Sequence, residues 1–134
     1  MLQVLTGPVI EAGESLSDAI DCTGGEVVRL TMPADWTSAM LSFAVSSDGE
    51  GFNDLMHMDG TEVTFNVTAG TAVLINSDLS AALAHIKIRS GSRDNPIPQP
   101  ERREFAITIK KGNATAIGEP LPAKRKTAKK KRRR

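Results

Sequence analysis

Residues 40–49 read MLSFAVSSDG. Leu41, Phe43 and Val45 alternate with Ser42, Ala44 and Ser46, and the run then meets Asp48-Gly49. A period of two sends successive side chains to opposite faces. The stretch therefore predicts a strand with Leu41, Phe43 and Val45 on a core and the small residues in water. Asp-Gly ends it, because both residue types tolerate the backbone angles of a tight turn.

The same signature recurs to either side. EVTFNV, residues 62–67, sets Val63, Phe65 and Val67 against Glu62, Thr64 and Asn66. HIKIRS, 85–90, sets Ile86 and Ile88 against His85, Lys87 and Arg89, and FAITIKK, 105–111, sets Phe105, Ile107 and Ile109 against Ala106, Thr108 and Lys110. VVRLTM, 27–32, predicts Val28, Leu30 and Met32 inward and Arg29 and Thr31 outward. TAVLI, 71–75, is a continuous apolar run and reads as a strand buried on both faces. SLSDAID, 15–21, reads as a further strand or a helical turn. Turns fall at Gly24-Gly25, Asp59-Gly60 and Ala69-Gly70, and Asp59-Gly60 is the clearest hairpin signal. In SGSRDNPIPQPERRE, 90–104, the residues Pro96, Pro98 and Pro100 have no ladder N–H to give, which predicts an extended loop before the last strand. No helical stripe runs beyond two turns. The expectation is an all-β fold, an antiparallel β-sandwich of about seven to nine short strands.

Charge divides the 134 residues into unequal parts. The 17 Lys and Arg nearly balance the 16 Asp and Glu, for a formal charge of +1. Nine of the cations, however, are Lys124, Arg125, Lys126, Lys129, Lys130, Lys131, Arg132, Arg133 and Arg134, which leaves residues 1–123 at −8. Up to residue 86, Arg29 is the only basic residue. The reading is a sandwich domain over 1–111, a linker over 112–123 (GNATAIGEPLPA) and a basic tail over 124–134 that binds an anion: nucleic acid or an acidic protein surface. The chain has no apolar run of membrane-spanning length, and its start lacks the pattern of a secretory signal, so no membrane insertion is expected.

Chemistry-bearing patterns are sparse. The residues Asp48, Glu50, Asn53, Asp54, His57 and Asp59 invite a calcium reading, but an EF-hand counted from Asp48 puts Phe52 at position 5 and Asn53 at position 6, where an oxygen ligand and glycine are needed. Two turns flanking a strand explain the Asp-Gly pairs, and no metal is expected. His57 and His85 lack a paired-ligand spacing, and His85 reads as a surface residue. Nucleophile-elbow and phosphate-loop motifs are missing, so neither a catalytic residue nor a cofactor is expected. The lone cysteine, Cys22, reads as a small buried residue. Trp36 either closes one end of the sandwich or serves as a stacking residue; with Pro96, Pro98 and Pro100 it marks a candidate ligand or interface loop.

SLSDAID at Ser15–Asp21, MPADWTSAMLSFAVS at Met32–Ser46 followed by Asp48-Gly49, FNDL at Phe52–Leu55, DGTEVT at Asp59–Thr64 and the RSG with its Pro- and Gln-containing loop from Arg89 together resemble a family of small structural proteins of tailed double-stranded DNA phages. The resemblance covers residues 15 to about 111 and rests on turn and core residues; the basic tail lies outside it. It implies a non-enzymatic, jelly-roll-like sandwich in or on a virion assembled in the host cytoplasm. Head decoration or an accessory role is the leading expectation, with the major capsid protein, other virion proteins or further copies of the chain as partners. A host-surface or carbohydrate-binding module on a head or tail fibre is a second reading. A nucleic-acid-binding protein acting through its tail is a third.

Overall fold

The computed structural model describes residues 1–112, so the basic tail and all but the first residue of the linker lie outside the described residues. Nine strands and one short helix follow in the order β1 (Leu2–Ile10), β2 (Ile20–Asp21), β3 (Glu26–Thr31), β4 (Leu41–Ser46), β5 (Asn53–Asp54), β6 (Thr64–Phe65), β7 (Ala72–Leu74), α1 (Ser77–Ala81), β8 (His85–Ser90) and β9 (Arg103–Lys110). They form two sheets, all pairs antiparallel. The first runs β1-β9-β3-β7; the second runs β2-β8-β4-β5, with β6 also on β4. Except around β4, β5 and β6, each connection carries the chain from one sheet to the other.

The inward rows of both sheets close on one core. Val27, Leu30, Phe105, Ile107 and Ile109 come from the first sheet, and Leu41, Phe43, Ile86 and Ile88 from the second. Alternation in HIKIRS and FAITIKK places these side chains as expected, and Val63 points inward as EVTFNV predicts. Phe65 lies partly buried, its ring edge-on to Phe43 at 5.3 Å. The Asp59-Gly60 hairpin forms: His57 N–H donates to the Thr61 carbonyl at 2.7 Å, and Gly60 takes a φ of 90° that favours glycine.

Four expectations are corrected. In β3 the buried valine is Val27 rather than Val28, because the register with β9 shifts between Val27 and Arg29 and turns the strand by one residue there. In β4 the face expected in water is buried as well: Ser42 is 0% exposed, and Ala44 and Ser46 are nearly so. TAVLI is not buried on both faces; β7 is an edge strand with Leu74 84% exposed. His85 is half-buried, and its ring would meet a Cβ on Gly49 at 3.2 Å. Two elements went unread. β1 pairs along β9 with a register shift between Thr6 and Val9, where the Gly7–Pro8 peptide is cis. Helix α1 is a five-residue turn capped by Asn76, whose side chain accepts from Leu79 N–H at 2.9 Å.

Candidate interaction surfaces

The Trp36 loop and the proline loop meet at one end of the molecule. Gln99, between Pro98 and Pro100, holds them together and is 0% exposed. Its Nε2 donates to the Thr37 carbonyl at 3.0 Å and to Ser90 Oγ at 2.9 Å. Its Oε1 accepts from Thr37 N–H at 3.1 Å and from Arg103 Nε at 3.0 Å. The backbone of Gln99 is bonded too, its N–H to the Glu14 carbonyl and its carbonyl to Gly13 N–H. One amide side chain thus imitates a strand partner for Thr37, and every polar atom of a buried Gln is satisfied. Arg103 extends the network to Thr37 Oγ1 at 3.0 Å and to Asp35 at 2.9 Å. Gly91 is required where the loop departs: at φ 92° a Cβ would stand 2.4 Å from the Asn95 carbonyl oxygen.

Trp36 itself faces inward. It is 6% exposed, its Nε1 donates to the Ala39 carbonyl at 3.2 Å, and its ring lies 5.5 Å from that of Phe105. The ring therefore offers no open face for stacking on a sugar or base. What this end presents to solvent is the exposed Pro96, Pro98 and Pro100. Of the candidate loop residues, the structure brings all four to one end, with the aromatic one inside. Gln99 and Arg103 escaped sequence reading because a polar residue in a proline-rich loop gives no sign of burial.

A second cluster lies on the outer face of the second sheet. Arg89 reaches Asp54 at 2.6 Å, Glu62 at 3.5 Å and Ser42 Oγ at 3.2 Å, and Arg93 joins Asp54 at 3.1 Å. Ser42 in turn donates to the Gly91 carbonyl at 2.8 Å. Phe52 lies beneath the Lys87 ammonium, 4.6 Å from its ring centre. The long side chains of Arg89 and Lys87 thereby lie across β4 toward β5 and its flanking loop, which accounts for the burial of Ser42 and Ala44. The cluster's charges are mutually compensated.

Of the acidic residues that invited a calcium reading, Asp54 pairs with Arg89 and Arg93, while Asp48 and Asp59 act in turns. Asp48 accepts from Glu50 N–H, Ser46 Oγ and Gly51 N–H, which hold its carboxyl down at about 2. Asp59 is likewise lowered, first by the Thr61 hydroxyl and then by its N–H, as is Asp21 by Thr23. Among the described residues no three His, Cys, Asp or Glu side chains gather as a metal ion requires. Cys22 is buried, and desolvation with the nearby Asp21 charge pushes its thiol up to about 11, far from a thiolate nucleophile. Among the described residues no helix is long and apolar enough to cross a membrane.

The outer face of the first sheet is different again. Leu2 is 56% exposed, Val4 60% and Leu74 84%, and all three point away from the core. Comparison of the chain with protein-family models, with curated proteins and with solved structures finds no match.

Proposed function

We propose that this chain is a non-enzymatic structural protein of a tailed double-stranded DNA phage, a head decoration or accessory protein that works by binding. Its body is a jelly-roll-like sandwich, and its basic tail, Lys124 to Arg134, is an electrostatic anchor. The observation that carries the reading is the partition of charge: a formal −8 over residues 1–123 joined to nine cations in the last eleven residues. Such a chain can dock a folded acidic body while the tail meets an anionic surface, either an acidic face of a neighbouring virion protein or packaged nucleic acid. The resemblance over residues 15–111 supports the family, since its motif positions coincide with structural pins: the Asp48 and Asp59 turns, Leu41 and Phe43 in the core, and Gln99 in the loop.

The test is stoichiometry against the major capsid protein in purified particles, together with binding of the intact chain and of one ending at Ala123. Hundreds of copies per particle and salt-sensitive attachment lost on truncation are the expected results. Copies numbering a dozen or fewer would move the protein to the neck or tail. Loss of DNA binding alone, with particle attachment intact, would assign the tail to the genome.

A further inference from the structure

The register of the first sheet lines up its outward side chains in rows across four strands. One row holds Leu2, Lys110 and Glu26; the next holds Val4, Thr108, Arg29 and Leu74; the next holds Thr6, Ala106, Thr31 and Ala72. Residues in register on adjacent strands share a face. This one is mostly aliphatic and Thr, with Lys110, Glu26 and Arg29 as its only charges over the three rows. The Arg29 guanidinium lies along the sheet with Nη2 3.3 Å from Thr108 Oγ1, which keeps the middle of the face low. Unlike on the other sheet, no network of long side chains among the described residues covers it.

We propose that this face seats a second copy of the same chain, face to face, about a two-fold axis parallel to the strands and between β9 and β3. That axis lays β9 of one copy over β3 of the other and β1 over β7. Val4 then meets Leu74 of the second copy, Thr6 meets Ala72, Ala106 meets Thr31, and Lys110 meets Glu26. By symmetry each contact is made twice. Arg29 falls over Thr108, so no like charges face each other. A two-fold axis across the strands does worse: crossing at the Val4 row it sets Arg29 over Arg29, and crossing one residue on it sets Val4 over Thr6 and Leu74 over Ala72, large side chains against small ones; in both cases Glu26 no longer meets the second copy's Lys110. The chosen arrangement is the aligned mode in which sheet faces pack. Strands of nine, eight, six and three residues, each residue covering about 3.3 by 4.8 Å, give a face of roughly 400 Å², or about 800 Å² for the pair. That is at the low end of specific interfaces and describes a reversible dimer. The inference stands apart from the virion role, because particle binding is measured separately and the two can fail independently.

Sedimentation equilibrium of the full chain, at low and at high salt, tests it. A concentration-dependent dimer that persists at high salt is expected, because screening relieves repulsion between acidic bodies while leaving apolar contact intact. Leu74→Asp weakens the dimer at least tenfold. Lys110→Glu weakens it as well, and adding Glu26→Lys restores it. All three positions are exposed, and a cooperative thermal transition verifies that each variant folds. A monomer even at millimolar protein would overturn the proposal. So would an association that disappears at high salt, which marks a tail contact, or one indifferent to Leu74→Asp and to the charge reversals, which places the interface elsewhere, such as the free edge of β1.

Discussion

The outer faces of the two sheets carry an arginine each, and the two arginines live in different worlds. Arg89, on the second sheet, reaches across β4 and is gripped by Asp54 and Glu62, with side-chain exposure of only 12%. Arg29, on the first, is exposed and reaches one hydroxyl. The second sheet covers its outer face with its own long side chains, Arg89 and Lys87, and holds them there with two carboxylates and an aromatic ring. The first has aliphatic side chains in open solvent, with Arg29 lying flat among them. The contrast shows that burial on the outer faces follows which long side chains find partners across the sheet, rather than the alternation pattern of each strand.

The largest effect should come from cutting the anchor. Arg89→Ala leaves Asp54 and Glu62, both partly buried, with Arg93 as their remaining partner and is expected to destabilise the protein by about 1.5–3 kcal/mol. The matching change on the other face, Arg29→Ala, should stay within about 0.5 kcal/mol. Denaturant melts of the two variants measure the contrast directly; equal losses would erase it. Next comes Gln99→Ala, which strips partners from Thr37, Ser90 and Arg103 and is expected to cost about 1–3 kcal/mol in the same melts. Indifference there would mean that the two loops are held by something other than this amide. Leu74→Ser should leave the stability of the dilute monomer within about 0.5 kcal/mol, since an 84% exposed side chain has little burial to lose.

The smallest effect concerns acid. The folded-state carboxyl of Asp48 lies at about 2 against an ordinary 3.8, so the stability it contributes is complete above 3.8 and is lost as the pH falls through 2. Asp21 and Asp59 shift in the same direction. Asp48→Asn keeps an acceptor for the turn but removes the titration. Urea melts across that pH window should show a shallower decline in the variant than in the parent chain. Parallel curves would mean that Asp48 is not held by its turn.

Sequence reading succeeded for the rows of side chains that face the core. In β8 and β9 the inward residues Ile86, Ile88, Phe105, Ile107 and Ile109 are all buried. It failed where the second side is decided by distant chain. Nothing in MLSFAVS announces that Arg89, Phe52 and Asp54 will converge over Ser42 and Ala44. TAVLI misled for the opposite reason: its apolar run implies a cover on both faces, and the described chain supplies only one. β1 was missed because LQVLT carries apolar residues on both faces and so shows no contrast, and α1 because five residues cannot display a helical period. The Val27–Val28 error is a register shift of one residue, invisible where two valines stand together. At the loop end, the prolines marked a segment that lies outside the strands, between β8 and β9. The buried amide beneath them depends on the geometry of Thr37, far away in sequence.

The pairing of β1 with β9 also fixes how the molecule carries load. Met1 and Lys111 lie side by side, with Lys111 N–H bonded to the Met1 carbonyl at 3.0 Å, and the two strands run antiparallel from there. Tension applied between the start of β1 and the chain leaving Gly112 would open the seam rung by rung, as a zipper opens. Tension between Gly112 and the Pro96–Pro100 loop would instead run along the backbone of β9 itself and leave the rungs on either side unloaded. A body tethered at Gly112 and gripped at its far end is therefore mechanically strong, and the same body pulled by its two adjacent ends is weak.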